Sequence, residues 1–416
     1  MLLSFRVANH RSLREEQQID LTPVYDADRP TGTRWEAVPV AGIFGANASG
    51  KSNLLQALAY LRFMVLNSDR IAEPGQGIVR DPFALAPDAA RELSWYALDI
   101  SIDGVRHTYG VSLGPDGVED EWLYQYPRNR RRIVFHRTGQ NYRYGVNSSP
   151  LRRPAVEEVT PPNILFLSTA SRFDQLVLQP VYQWFRDLIV PPVHVSTTQF
   201  RPTSVASDLD LQLSALLADE QRRRQVLALL KVADFGIEDI GFEAAGVTLS
   251  TTTWRVWFGM KGSRSTVRMY LADQSAGTRT FLTYLPDVLT AVERGTPLVV
   301  DELESNLHPR LAEQVVKLFQ DPRANPRRAQ LIFTSHNASL LSSNDEILKR
   351  DQVWFVEKST EDGSSAVFPL SAFKPRLGEN TERRYLGGSY GAVPFVDARE
   401  ASAVFEAVAA QGQDGE

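Results

Sequence analysis

"GIFGANASGKSNLLQAL" occupies residues 42–58. It reads as the end of a buried strand, a glycine-rich turn and the start of a helix. Gly45, Gly50, Lys51 and Ser52 carry the pattern GxxxxGKS. Glycines let backbone N–H groups approach phosphates, and a helix N-terminus adds favourable charge for an anion. Lys51 is expected to reach the β- and γ-phosphates of ATP, and Ser52 to ligate Mg²⁺. Asn47 inside the loop and Asn53 just after it are counted with the nucleotide-binding set. A chance glycine-rich turn would lack the flanks seen here. After the loop, Leu54, Leu55, Leu58, Leu61 and Val65 fall on one helical face.

Three further stretches are read against this loop. In "TPLVVDELESNLHP", residues 296–309, four apolar residues deliver Asp301 and Glu302 to a strand end. Asp301 is the expected Mg²⁺ carboxylate. Glu302 is placed to polarise the water that attacks the γ-phosphate, a general-base task. In "AQLIFTSHN" another buried strand ends in Thr334, Ser335 and His336, where a polar group can sense the γ-phosphate. In "DQSAGTRTF", residues 273–281, Ser275 and Gly277 open a helix and form a second anion site. One chain has no need of two γ-phosphate sites, whereas two chains facing head-to-tail do.

Composition narrows the class. The chain has 416 residues, 43% hydrophobic and 23% charged, which is globular usage. A formal net charge of -5 means that any nucleic-acid contact must come from a local patch. With no cysteines, thiolate metal sites and cysteine nucleophiles are excluded. No apolar run approaches the ~20 residues that span a membrane, and Arg6, Asn9, His10 and Arg11 interrupt any signal peptide, so the expected compartment is the cytoplasm. From about Glu92 to Val146 the pattern has period two and reads as an antiparallel meander. "NILFLS", 163–168, reads as a buried strand, and residues 175–234 as mainly helical. Beyond them, strand and helix alternate, which predicts a mostly parallel sheet flanked by helices.

Phosphate loop, SxG signature, DE, "LESNLHP" and "TSHN" together resemble the ABC-type ATPase heads of the recombination and chromosome-maintenance kind. Their order is most similar to the AAA15 and overcoming-lysogenization-defect-like ATPases of prokaryotic anti-phage defence operons. "NHRSL" near the start and "RRYLGGSYGAVPFV" at 383–396 look like that family's flanking segments. The resemblance implies an α/β ABC-type P-loop head with an antiparallel meander and a helical insertion. The implied division is an N-terminal ATPase lobe at 1–170, an insertion at 171–240, a C-terminal lobe at 241–396 and a tail at 397–416. It also implies that Ser275 and Gly277 contact the γ-phosphate held by the other subunit. Glu304, Ser305 and Asn306 would form the loop crossing the dimer, and His336 the switch histidine. Asn9, Arg11 and Ser12 would lie near the nucleotide. Two departures stand out. The signature reads Gln274-Ser275-Ala276-Gly277 in place of the commoner Leu-Ser-Gly-Gly-Gln, and no Mg²⁺-sensing glutamine is assigned among Gln125, Gln175 and Gln179.

The expected cofactors are ATP and Mg²⁺, and the expected assembly is a head-to-tail dimer or larger homo-oligomer. The residues between Lys51 and Ser275 lack sustained heptads, which argues against a long coiled-coil arm. The stretch after His336 is too short for the Toprim nuclease domain of the overcoming-lysogenization-defect nucleases. The effector is therefore expected to be a separate nuclease or toxin, with no membrane involved. "YPRNRRRIVFHR", 126–137, sets five arginines among aromatics and can contact DNA or RNA through Arg128–Arg137; "EQRRRQ", 220–225, can do likewise. A solvated face is the plainer reading of both. Two rival functions are a DNA-repair ATPase acting on DNA ends and a scaffold that binds ATP without hydrolysing it.

Overall fold

The computed structural model describes residues 1–29, 35–73, 75–145, 153–173, 177–191, 205–233, 236–247, 252–305, 309–342 and 347–393. The elements run β1 (Leu2–Ala8), β2 (Gln17–Asp20), β3 (Val40–Phe44), α1 (Lys51–Ile71), β4 (Ser94–Ile102), β5 (Val105–Leu113), β6 (Val118–Tyr126), β7 (Arg132–Thr138) and β8 (Asn141–Tyr144). Next come α2 (Arg153–Glu158), α3 (Phe166–Ala170), α4 (Gln179–Asp187), α5 (Val205–Leu217), α6 (Glu220–Ala233), β9 (Ile237–Val247), β10 (Thr252–Lys261) and β11 (Thr266–Tyr270). The last are α7 (Ala276–Arg294), β12 (Pro297–Val300), α8 (Pro309–Gln320), β13 (Gln330–Ser335), β14 (Val353–Lys358), β15 (Ser365–Pro369) and α9 (Thr381–Leu386).

The central sheet has the order β12-β13-β3-β14-β15. Its first four strands are parallel, and β15 closes the edge antiparallel to β14. Side chains alternate across it. Ala41, Ile43, Val299, Ile332 and Trp354 enter one core with α1 and α4. Val40, Phe44, Leu298, Leu331, Phe333 and Phe355 enter a second core with α5 to α8. Burial on both faces explains why these strands read as short continuous apolar runs. β3, β12 and β13 are neighbours, so the phosphate loop, Asp301-Glu302 and His336 leave the same edge of the sheet, the edge where open α/β sheets hold ligands.

The meander forms as expected and is joined by the chain's first strands into a seven-stranded antiparallel sheet, β2-β1-β4-β5-β6-β7-β8. Its inward face, with Tyr96, Leu98, Tyr109, Val111, Leu123 and Phe135, belongs to the core around α1. A third sheet, β11-β10-β9, packs with α5 and α6.

One expected strand is a helix. Within "NILFLS", Phe166–Ala170 is α3. Its N-terminal amides, Phe166 N and Leu167 N, donate to the Glu121 carboxylate at 2.6 and 2.9 Å. A short continuous apolar run does not distinguish a buried strand from a buried helix, and here an anion from β6 meets the helix N-terminus.

Arg137 corrects a second expectation. It is fully buried, so it contacts no nucleic acid. Its guanidinium lies 3.8 Å from Glu121 and donates to the carbonyls of Gly139, Ile164 and Pro161 at 2.7, 2.6 and 3.1 Å. Burial pushes the Glu121 carboxyl up, against the opposing pull of Arg137 and of the two amides. Removing one partner of a buried pair strands the other. Arg137→Met is therefore expected to lose about 3–5 kcal/mol of stability, read as a lower urea midpoint at unchanged slope. The second arginine run is ion-paired at the surface, in keeping with the plainer reading. Arg222 pairs with Glu293, Arg223 with Asp239 and Glu220, and Arg224 with Glu220.

Candidate functional site

The loop between β3 and α1 is shaped by residues that a larger side chain would block. Gly50 caps α1 at φ 106°. A Cβ there would fall 2.2 Å from Ser365 Oγ and 2.6 Å from Ser12 Oγ. A Cβ on Gly45 would meet the Val356 carbonyl oxygen at 2.3 Å. Asn47 is exposed at the tip.

Lys51 is 5% exposed, and its Nζ donates to the carbonyls of Gly45 and Ala46, each at 2.9 Å. Burial lowers its ammonium to about 8, opposed by the charges of Glu302, Asp301 and Glu304. Ser52 Oγ donates to Asp301 Oδ1 at 3.0 Å, and Thr334 Oγ1 donates to the same oxygen at 2.6 Å. Thr334 Oγ1 in turn accepts from Glu302 N at 2.7 Å, and Leu303 N donates to the Thr334 carbonyl at 3.0 Å. These bonds hold Glu302 in the left-handed region at φ 52°. A non-glycine residue kept there stores strain of a kind that clusters at functional sites.

His336 bridges the two charged groups. Its Nδ1 lies 3.3 Å from Lys51 Nζ and its Nε2 lies 3.5 Å from Glu302 Oε1. An ammonium can only donate, so Nδ1 accepts and the ring proton sits on Nε2, facing Glu302. Glu304 folds back onto the same turn, where it accepts from His336 N and, at 3.2 Å, from Asn337 N. Ser305 N donates to the Glu302 carbonyl at 2.8 Å, while Asn306 lies outside the described residues. On α7, burial and the charges of Asp301 and Glu302 raise Tyr284.

Ser275 caps α7, its Oγ accepting from Thr278 N at 3.1 Å, and it is exposed. Gly277 lies in the first turn. Nine residue steps of helix, about 13.5 Å of rise, lead from Ser275 to Tyr284. Among the described residues no hydrogen bond joins Ser275 to the phosphate loop of its own chain.

The three residues expected near the nucleotide separate. Ser12 reaches the loop: its Oγ accepts from Asn53 Nδ2 at 2.7 Å and lies 2.7 Å from Ser365 Oγ. Arg11 binds Asp81 at 3.1–3.2 Å and Gln56 on the flank of α1. Asn9 is buried and ties Phe83 N, the Ala89 carbonyl and the Glu92 carbonyl. Of the candidate glutamines, Gln125 lies in β6, Gln179 donates to the Ser171 carbonyl at 3.0 Å, and Gln175 is outside the described residues. Ser365 is a contributor that no motif announced; its Oγ also lies 2.6 Å from the Ser49 carbonyl oxygen. Asn337 N adjoins the site, and the C-terminal "RRYLGG" segment lies beneath it, with Tyr385 5.3 Å from Phe355 and 6.4 Å from Phe44.

Next to Arg11, His10 is buried against Tyr96, its Nδ1 2.9 Å from the hydroxyl. Burial lowers its imidazole to about 4. The unfolded chain takes up that proton near pH ~6.5, so this group costs stability progressively as pH falls from there towards 4. His10→Gln is expected to flatten the fall of melting temperature over that window.

The donor set fits a triphosphate with Mg²⁺. Glycines leave room at both ends of the loop, a buried ammonium lies over it, Ser49 Oγ is buried without a partner among the described residues, and Ser52 with Asp301 supplies the hard oxygens that Mg²⁺ takes. Among the described residues no helix is long and apolar enough to cross a membrane.

The family model "AAA domain, putative AbiEii toxin, Type IV TA system" matches residues 40–154 and 195–342, more than half of the chain. No curated protein matches the sequence. Similar solved structures include an Smc head bound to the C-winged helix domain of ScpA, at 12% identity and TM-score 0.47, covering 90% of this chain and 99% of that one. The SMC head domain from Thermotoga maritima gives 15% identity and TM-score 0.41, with 88% and 98% covered. An Smc head with an extended coiled coil, bound to the C-terminal domain of ScpA derived from Pyrococcus furiosus, gives 12% and 0.40, with 90% and 97% covered.

Proposed function

The chain belongs to the family described as "AAA domain, putative AbiEii toxin, Type IV TA system", and from that premise we propose that it hydrolyses ATP as the regulatory subunit of a prokaryotic defence system. Its fold is that of an ABC-type P-loop ATPase head. In this reading it works as a head-to-tail dimer in the cytoplasm and gates a separate nuclease or toxin. The observation that carries the reading is the convergence of Ser52, Asp301, Thr334, Glu302 and His336 on Lys51.

Lys51 neutralises the β- and γ-phosphates, and the loop amides orient them. Ser52 and Asp301 hold Mg²⁺, which supplies further charge neutralisation at the transferring phosphate when bound. Glu302 takes the proton of the attacking water. His336, with its Nε2 proton facing Glu302, sets that carboxylate and senses the γ-phosphate. Ser275 and Gly277 complete the site of the facing copy, which is what closes the pair. A partner protein is supported by the family description, which sets such domains in a toxin–antitoxin system.

The test is turnover and cleavage by the purified chain. ATP-dependent phosphate release is expected, together with no cutting of linear, nicked or single-stranded DNA or of RNA in Mg²⁺ or Mn²⁺. Absence of turnover would reassign the protein to an ATP-bound scaffold. Cleavage that co-purifies with the chain and survives Glu302→Gln would place the effector within it.

A further inference from the structure

The seven-stranded sheet has one face in the core and one facing out. On β6, Trp122, Tyr124 and Tyr126 alternate with the buried Glu121 and Leu123 and so share the outward face. Their registers spread the face across neighbouring strands: Trp122 lies between Gly110 and His136, Tyr124 beside Thr108, and Tyr126 beside Arg106. Gly110 is required here, since a Cβ on it would strike the Trp122 ring at 2.1 Å. Trp122 therefore lies flat on the sheet, 6.0 Å from Trp95 and 6.4 Å from His136. Guanidinium groups stack on the other rings, Arg106 at 3.9 Å from Tyr126 and Arg131 at 5.2 Å from Tyr124.

What singles this face out is its unspent charge. Among the described residues no ion pair engages Arg106, Arg128, Arg130, Arg131 or Arg143, although the chain as a whole carries -5. All five are exposed. The small sheet provides an internal contrast. There too a tryptophan covers a glycine, Trp257 over Gly241, and an arginine stacks on it, Arg268 at 4.2 Å. That arginine is neutralised by Glu243 at 3.5 Å. Ring and guanidinium stacking is therefore a packing device common to both sheets, and Arg255 on the small sheet, 4.9 Å from Tyr270, likewise has no ion pair among the described residues. What distinguishes the large sheet is that it gathers five such arginines beside the rings of β6.

We propose that this outward face binds single-stranded nucleic acid, with the unpaired arginines on the phosphates and the rings of β6 under the bases. Rings two residues apart on one strand are about 6.8 Å apart, twice the ~3.4 Å repeat of a nucleic-acid strand. Every base offers a π-face to such rings, so the binding is sequence-tolerant. Arg137 is excluded from this surface by its burial and Arg132, the register partner of Gln125, by its face, so the contact set is Arg106, Arg128, Arg130, Arg131 and Arg143 with the β6 rings. The site lies on the meander and not among the residues that converge on Lys51, and the proposal stands whether or not the chain hydrolyses ATP.

The experiment is fluorescence anisotropy on the full chain with labelled oligo(dT) and oligo(U) of about 20 nucleotides, longer than the footprint of one aromatic platform, and a duplex of equal length. Wild type is expected to bind both single strands more tightly than the duplex, with affinity falling steeply between about 50 and about 200 mM salt. Reversing Arg128, Arg130 and Arg131 to Glu together is expected to weaken binding at least about 10-fold. Tyr126→Ala is expected to weaken single-strand binding about 10-fold, with Tyr126→Phe restoring it and duplex affinity unmoved. Unchanged melting temperature and ATP turnover confirm that the variants fold. Three outcomes overturn the proposal: no binding by wild type at low salt, equal affinity for duplex and single strand, or displacement by polyglutamate as effective as by oligo(dT). The last assigns the face to an acidic protein partner.

Discussion

Glu302→Gln is expected to lower steady-state phosphate release by about 10²–10⁴-fold, the usual cost of removing a general base, while ATP still binds. Gln keeps the shape of the side chain and leaves the backbone arrangement in place. Glu302 N still donates to Thr334 and Leu303 N still donates to the Thr334 carbonyl. Lys51, Ser52 and Asp301 are untouched, so the phosphate loop and the proposed Mg²⁺ ligands remain. What is lost is the acceptor for the proton of the attacking water and the negative charge 3.5 Å from His336 Nε2. Nucleotide affinity, read by equilibrium binding of a fluorescent ATP analogue, should stay near the wild-type value. Near-normal turnover would remove Glu302 from its role and leave the carboxylate of Asp301 as the base to test.

The second large effect concerns assembly. Ser275→Arg is expected to abolish hydrolysis and leave nucleotide binding largely intact, because Ser275 has no bond to its own phosphate loop among the described residues. Lys51→Ala should do the reverse and remove binding by deleting the ammonium over the loop. In a head-to-tail pair, one chain of each kind makes one intact composite site and one doubly damaged site. An equal mixture of two inactive proteins should then recover about a quarter of wild-type turnover if sites act independently, since half of the pairs are mixed and each has one good site. Ser275 also caps α7, and losing a cap costs about 0.5–2 kcal/mol. Melting temperatures of Ser275→Arg and Ser275→Ala separate that loss from loss of the trans contact. No recovery in the mixture, with folding intact, argues against composite sites that fire singly.

The legible parts of this site are those encoded over a few consecutive residues. GxxxxGKS after an apolar run, DE after "PLVV" and "TSH" after "QLIF" each declare a strand end with a candidate residue on it, and the sheet brings all three to one edge. The illegible parts depend on distance along the chain. Thr334 stands at a declared strand end, but its role as the hub that links Asp301 to Glu302 has no local signal, and neither has Ser365, which supports the loop from β15. α3 was illegible because five buried residues give no period, and what settles their conformation is Glu121 on another strand. Arg137 differs. Alternation along β7 puts it on the face of Phe135, the buried face, whereas Arg130 and Arg131 precede the strand and Arg132 is exposed at its start; composition alone groups them.

The seating of Ser365 against the loop has a consequence for vectorial synthesis. The Ser365 hydroxyl and the Ser49 carbonyl lie 316 residues apart in the chain, and Ser52 and Asp301 lie 249 apart. At ribosomal speeds of about 5–20 residues per second, the nascent polypeptide carries its phosphate loop for about 15–60 s before the strand that braces it has been made. The nucleotide site is thus among the last parts to mature, although its loop is among the first to be translated. A truncated or stalled translation product therefore carries the phosphate loop without its carboxylate partners or its brace.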